Sequence, residues 1–297
     1  MPMEYFEQRE RALLGDRFDV LYAAPQETAE RGVTVSALRS SPEQFAAKAD
    51  FPLEASPFCK AAFVVHQPDD LKFRPGRHPY HHAGVFYSQE PSASSAAPLL
   101  GVQPGMRVLD MCAAPGGKSS QLAAALQGRG VLVSNEYVAA RADILKSNLE
   151  RMGVPNAVVL NETPARIAEA LPEFFDRVLV DAPCSGLGVI RKKPDIRYKD
   201  PKPLEDLPQV QQAILENAAG YVKPGGVLMY STCTILPREN GEIVSAFLEK
   251  HPELVREAFE LPGAAGRVEA GEITLWPQVH QTDGFFICKL RKVGEAP

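Results

Sequence analysis

From Gly105 onward, short runs of β-branched and other apolar residues alternate with longer segments of helical periodicity. That alternation predicts an α/β fold, with a parallel sheet and crossover helices. Strands are expected at Arg107–Asp110, Val131–Asn135, Ala157–Leu160, Arg177–Asp181 and Gly226–Ser231. Helices are expected between them at Lys118–Gln127, Val138–Met152, Thr163–Leu171 and Leu207–Val222, with a further one over Arg238–His251. The pair Glu272–Trp276 and Gly284–Arg291 reads as an antiparallel closing hairpin.

Residues 1 to 95 have a different pattern: a helix at Tyr5–Leu14, a β-like stretch at Gly32–Leu38, a second helix at Pro42–Ala49, and proline-rich loops. This is expected to be a small N-terminal α+β domain, followed by a main domain over 96–297. Pro91–Pro98 has the serine- and alanine-rich composition of a flexible linker. The preceding Val85-Phe-Tyr-Ser-Gln-Glu is too apolar for a free tether, so a helix packed at the domain junction is expected instead.

The composition, 45% hydrophobic and 23% charged over 297 residues, is that of a globular protein. No apolar run reaches the roughly 18 residues of a membrane span, and the acidic Met1–Glu10 lacks the basic start of a signal peptide. A cytoplasmic monomer is expected. The net charge of −5 means that any polyanion must be held by local basic patches. Two candidates are Lys72, Arg74 and Arg77 with the histidines that follow, and Arg191, Lys192, Lys193, Arg197 and Lys199. Five cysteines at wide spacings, with no CxxC pair, indicate neither a disulfide framework nor a zinc site. His78, His81 and His82 read as a polar loop, and no metal is expected.

Two cysteines stand out. Cys184, in Asp181-Ala-Pro-Cys-Ser-Gly, and Cys233, in Ser231-Thr-Cys-Thr, each follow an expected strand. Both therefore fall at carboxyl ends of strands, where open α/β sheets bind ligands. Hydroxyls of Ser231, Thr232 and Thr234 and a helix starting beyond Pro237 would favour a Cys233 thiolate, the attacking form; a buried apolar thiol is the competing reading. Cys59, Cys112 and Cys288 read as small hydrophobes. Val108-Leu-Asp-Met-Cys-Ala-Ala-Pro-Gly-Gly-Lys118 sets small residues where backbone approaches a ligand at a helix start. It lacks both GxxxxGK[ST] and GxGxxG, which points to a nucleoside without phosphates. Glu136 ends the second strand, where an acid can accept both ribose hydroxyls. Asp181 can accept from an exocyclic amine such as cytosine N4, or bind N3 when protonated.

Four segments in order resemble the Sun (Fmu) family of RNA 5-methylcytosine methyltransferases, in its RsmF-like branch. They are Tyr87-Ser-Gln-Glu-Pro-Ser-Ala93, Asp110-Met-Cys-Ala-Ala-Pro-Gly-Gly-Lys118, Asp181-Ala-Pro-Cys-Ser-Gly186 and Tyr230-Ser-Thr-Cys-Thr234. The resemblance spans nearly the whole chain. It implies a class I, Rossmann-like methyltransferase with a seven-stranded, mostly parallel sheet, using S-adenosylmethionine. Cys112, Ala113, Ala114, Pro115, Gly116, Gly117 and Lys118 would surround that cofactor, with Glu136 on its ribose and Asp181 between cofactor and base. Cys233 corresponds to the nucleophile that adds to cytosine C6. Cys184 corresponds to the thiol that aids product release, and Lys118 orients Asp181. Asn161-Glu-Thr163 stands where relatives often bind adenine through an aspartate; one of Asn161, Glu162 and Thr163 is expected to make that contact, with Thr163 as a candidate cofactor-binding residue. Thr34-Val-Ser36 replaces an arginine-valine-asparagine run of the N-terminal domain, the part expected to touch RNA. The implied substrate is small-subunit ribosomal RNA; transfer RNA and a non-catalytic RNA-assembly factor are the alternatives. Members of this branch often carry a further RNA-binding module at the carboxyl end, and this chain stops at Pro297.

Overall fold

The computed structural model describes residues 31–66, 74–193, 195–196, 202–264 and 266–294, with residues 8, 11, 12, 14–16 and 18 of the N-terminal segment. The expected helix at Tyr5–Leu14, and Lys72, Arg197 and Lys199 of the basic runs, thus lie wholly or mostly outside the described residues.

The N-terminal part is an antiparallel sheet of β1 (Arg31–Val35), β2 (Leu53–Ala55), β3 (Ala62–Val65) and β4 (Phe86–Ser88), in the order β2-β3-β1-β4. Helix α1 (Pro42–Lys48) is capped by the Ser41 hydroxyl and buries Phe45, whose ring lies 5.7 Å from both Phe63 and Phe86. Such edge and tilted aromatic pairs add about 0.5–1.5 kcal/mol each beyond the area they bury. The segment Phe86–Ser88 is a strand, not the helix expected at the junction. It pairs antiparallel with β1, Val33 opposite Ser88, and buries Phe86 while Tyr87 points to the opposite face. The helical element lies just beyond: a 3-10 turn at Ser92–Ser94 and a helical turn at Ala96–Leu99, whose Ala96, Ala97 and Leu100 enter the main core. Pro91–Pro98 is therefore packed structure.

The main sheet runs β7 (Ala157–Leu160), β6 (Val131–Asn135), β5 (Arg107–Asp110), β8 (Phe175–Asp181), β9 (Val222–Thr232) and β14 (Phe285–Lys292). The first five are parallel and β14 is antiparallel to β9. The seventh position is shared by two short strands, β10 (Leu254–Arg256) and β13 (Glu272–Leu275), both antiparallel to β14, so the sheet has eight strands. Short β11 (Phe259–Leu261) and β12 (Gly266–Val268) pair by themselves.

Strand pleating sends successive residues to opposite faces, and the two faces bury against different helices. Val108, Leu132, Leu179 and Met229 meet Leu122, Ala123 and Leu126 of α2 (Gly117–Leu126). Leu109, Val133, Val178, Val180 and Tyr230 meet α5 (Leu207–Tyr221) and α6 (Gly241–Lys250), which follow α3 (Ala139–Met152) and α4 (Pro164–Ala170). On α5 the buried Gln211, Ile214, Leu215 and Ala218 follow the i, i+3, i+4, i+7 spacing of one helical face. Strand order reverses between β5 and β8, which opens a crevice above their carboxyl ends.

A candidate active site at the switch point

Asp110 ends β5 and Asp181 ends β8, on either side of that crevice. The loop leaving β5 reaches α2 through Gly116, whose φ of +112° is a conformation L side chains rarely adopt. Outside contacts fix the loop. The Pro115 carbonyl accepts from Tyr87 Oη at 3.1 Å and Asn148 Nδ2 at 2.8 Å, and the Ala114 carbonyl accepts from Arg141 at 2.9 Å.

These elements enclose an open cavity of about 160 Å³. Its walls include the expected Cys112, Ala113, Ala114, Pro115, Gly117, Lys118 and Asp181, and Gly116 caps α2 immediately beside them. Two parts of the wall were missed by sequence reasoning. Tyr87, Ser88 and Gln89 come from β4 and its exit, and Asp110 from β5. Asp110 opens one of the family-like segments and directly precedes the loop, but no ligand contact was assigned to it.

Asp110 and Glu136 each bury a carboxylate oxygen that receives no hydrogen bond. Asp110 Oδ2 accepts from Ser119 Oγ at 2.7 Å, while Oδ1 has no donor. Burial pushes this carboxyl up to about 7, with Ser119 opposing. Glu136 Oε1 accepts from the Val138 N–H at 3.0 Å; Oε2 receives no hydrogen bond and lies 3.4 Å from an Arg141 nitrogen. Buried acceptors without donors are uncommon, so both oxygens suit a ligand that brings hydroxyl or ammonium protons.

The segment after β7 faces elsewhere. Asn161 Nδ2 donates to the Glu136 and Tyr137 carbonyls at 2.7 and 2.8 Å, Glu162 pairs with Arg166 at 2.9 Å, and Thr163 Oγ1 caps α4 by accepting from the Arg166 N–H. None of the three lines the cavity. Thr163, one of the three candidate adenine contacts, uses its hydroxyl to cap α4, with Pro164 at the first helical position.

Cys184 Sγ lies 3.2 Å from Cys233 Sγ. Beside them, Lys118 Nζ donates to Asp181 Oδ2 at 2.8 Å and Ser231 Oγ to Asp181 Oδ1 at 2.7 Å, so both carboxylate oxygens are oriented. The hydrogen bond from Cys184 lowers the Cys233 thiol, with Lys118 and Lys193 adding to the effect and burial and Asp181 opposing it. The same hydrogen bond, burial and the nearby Glu239 carboxylate raise Cys184 well above the usual thiol range. Cys184 thus holds the proton and Cys233 is the sulfur prepared to become a thiolate. The hydroxyls expected to create this effect are engaged elsewhere: Ser231 on Asp181, Thr232 on Asn240 at 2.6 Å, and Thr234 on Ser185 at 2.8 Å. Burial drives the Cys112 thiol up, which leaves it a neutral wall residue.

The backbone crosses tightly below Cys233. Its carbonyl accepts from the Gly188 N–H at 3.0 Å, and the Gly188 carbonyl accepts from the Gly284 N–H at 2.9 Å. A Cβ at Gly188 would collide with the Gly284 carbonyl and sit 2.7 Å from that of Cys233.

Of the basic run after Cys184, Arg191 donates to the Thr282 carbonyl at 3.0 Å and Lys192 pairs with the buried Asp283 at 2.9 Å. Lys193 is exposed. Among the described residues no group of three or more His, Cys, Asp or Glu is placed to hold a metal ion, and no helix is long and apolar enough to cross a membrane.

Residues 97–291 match the family model for the 16S rRNA methyltransferase RsmB/F, and residues 1–91 that for the N-terminal domain of 16S rRNA methyltransferase RsmF. The ribosomal RNA small subunit methyltransferase F of Erwinia tasmaniensis is 35% identical over 100% of this chain and 64% of its own length. That of Cronobacter sakazakii is 36% identical over 96% and 61%. The chain thus spans about three fifths of the length of these curated relatives. A methyltransferase homolog protein from Pyrococcus horikoshii is 29% identical and superposes with a TM-score of 0.80 over 96% of this chain and 94% of its own. The fold is also that of NSun6 from Pyrococcus horikoshii, solved with SFG (TM-score 0.81, 20% identity, covering 98% of each chain). With a family model covering all but the last residue of the central sheet and both cysteine loops, the chain belongs to the 16S rRNA methyltransferase RsmB/F family.

Proposed function

We propose that the chain methylates cytosine C5 in RNA, with small-subunit ribosomal RNA as substrate and S-adenosylmethionine as methyl donor. The observation that carries this reading is the thiol pair near Asp181 and Lys118, two residues that line a cavity shared with Asp110 and its unsatisfied carboxylate oxygen. The loop from Cys112 to Lys118 would hold the cofactor, with Glu136 accepting from its ribose hydroxyls and Asp110 facing its positive charge. S-adenosylmethionine, when bound there, supplies an electrophilic methyl group.

Cytosine C5 is a weak nucleophile while the ring is aromatic. The Cys233 thiolate adds to C6, the ring electrons pass to C5, and C5 then takes the methyl group; covalent addition splits one hard step into two easier ones. Asp181, held by Lys118 and Ser231, accepts from the cytosine N4 amine and fixes the base. Cys184 aids the release that follows, in which C5 loses its proton and Cys233 departs by β-elimination. The base must first leave its stack, at about a few kcal/mol, least in single-stranded RNA. Lys193 is available to a phosphate during that exposure. Residues 1–95 form the RNA-contacting part of the protein and 96–297 the catalytic part.

The test is methyl transfer from labelled S-adenosylmethionine to small-subunit ribosomal RNA and to transfer RNA, each lacking 5-methylcytosine, with Cys233→Ala alongside. Label at C5 of ribosomal cytosine that disappears in the variant is the expected result. Label in transfer RNA alone would change the substrate; cofactor binding without transfer to either would favour an assembly factor.

A further inference from the structure

We infer that Glu239, buried between the two cysteine loops, is a positioning residue that holds Cys184 against Cys233 for release of the methylated product. The inference rests on the function proposed above.

The Glu239 side chain is fully buried. Its Oε2 accepts from the Ser185 N–H at 2.9 Å and from Gln211 Nε2 at 3.0 Å. The same Gln211 nitrogen donates to the Pro183 carbonyl at 2.9 Å. The backbone groups on both sides of Cys184 are therefore held by one carboxylate–amide clamp. Glu239 is also tied to the other loop. Its carbonyl accepts from Tyr230 Oη at 2.7 Å, and the adjacent Asn240 accepts from Thr232 Oγ1 at 2.6 Å and donates to the Thr234 carbonyl at 3.1 Å. Residues 239 and 240 thus bracket both cysteines.

Glu239 Oε1 and Gln211 Oε1 receive no hydrogen bond. A buried carboxylate left half satisfied is costly, and stability alone would favour a neutral amide, which keeps an acceptor for Ser185 and Gln211 without burying a charge. The carboxylate does have an effect on the chemistry: after the Cys233 hydrogen bond and burial, it adds to what keeps the proton on Cys184. During release the C5–H bond breaks with its proton passing to water, the C5–C6 double bond reforms, and the C6–S electron pair returns to Cys233. A hydrogen bond from the Cys184 S–H stabilises that departing thiolate.

The experiment compares the wild-type chain with Glu239→Gln and Glu239→Ala in single turnover on small-subunit ribosomal RNA lacking 5-methylcytosine, from pH 7 to 10.5, a window that extends above the ordinary thiol range. It follows the protein–RNA adduct that survives denaturation and the released methylated RNA separately. Glu239→Ala should form adduct and resolve it about tenfold more slowly, the effect of one lost charged hydrogen bond. Glu239→Gln keeps the shape of the clamp and should resolve faster than Glu239→Ala, with release declining at lower pH than in wild type. The inference is overturned if Glu239→Ala resolves its adduct at the wild-type rate, or if folded Glu239→Gln keeps the wild-type pH profile. Absence of any adduct in the wild-type chain would instead overturn the Cys233 reading on which the inference depends.

Discussion

The sulfur atoms of Cys184 and Cys233 lie 3.2 Å apart although 49 residues separate them in sequence. At this distance one thiol donates to the other; that hydrogen bond is the largest influence on both sulfurs, and the lysines near Cys233 and the carboxylate near Cys184 add to it in the same sense. The two residues should therefore fail differently. Cys233→Ala should form no denaturation-resistant adduct with RNA, whereas Cys184→Ala should form one and accumulate it. An adduct lost only in Cys184→Ala would exchange the two roles.

Binding of S-adenosylmethionine should depend on pH through Asp110. Its carboxyl, raised to about 7 by burial, is largely protonated at pH 6. A cationic ligand favours the ionised form, so the pKa falls on binding and affinity should rise with pH up to about 7, then level off. Calorimetric titrations of wild type and Asp110→Asn across pH 5.5–8.5 check this; a pH-independent wild type would remove Asp110 from the site.

Asp110 has a second signature, in stability. A carboxyl with a raised folded pKa is more protonated in the folded than in the unfolded chain between about 4 and 7, so its contribution to stability is present at low pH and declines across that window. The unfolding free energy of Asp110→Asn minus that of wild type should grow as pH rises from 4 to 7, measured by denaturant titration.

Lys118→Met leaves Asp181 without its cation. Breaking a fully buried pair costs about 3–5 kcal/mol, but the Asp181 side chain keeps 30% exposure and water can replace part of the loss. A stability loss of about 1–3 kcal/mol is expected by denaturant unfolding. Methyl transfer should fall by much more than cofactor affinity, because on the proposed mechanism Lys118 orients the carboxylate that would hold the base.

Gly188→Ala should damage chemistry more than folding. The new methyl group would be forced against the Gly284 and Cys233 carbonyls, and relief requires one loop to move. A shift of about 1 Å at a reacting atom is enough for a hundredfold loss of rate. Adduct formation compared with thermal unfolding of the same preparation separates the two effects.

Much of the main sheet was legible from local pattern. Arg107–Asp110, Val131–Asn135 and Ala157–Leu160 coincide residue for residue with the observed strands, because each is a short apolar run with clear turn signals at both ends. Strand β4 was not legible. Phe86–Ser88 becomes a strand by pairing with β1, more than 50 residues earlier, and no local period encodes that partner. The cysteine loops announced themselves through proline, glycine and threonine. Glu239 did not, since one acid in Pro237-Arg-Glu-Asn240 reads as solvated until folding encloses it. Likewise nothing near Lys192 indicated that it would pair with Asp283, and only the tertiary structure shows that Lys193 is the exposed cation of that trio.

The hydrogen bond from Tyr87 to the Pro115 carbonyl makes the cavity a joint property of two sheets, since β4 supplies one wall and β5 the other. Any ligand that fixes β4 against the main sheet raises affinity at the cavity, and by thermodynamic reciprocity a filled cavity raises affinity for that ligand by the same factor. Cofactor and RNA occupancy would then be coupled through the protein as well as through their contact at the methyl group, with Tyr87 as the coupling element, and Tyr87→Phe would make the two binding events more independent.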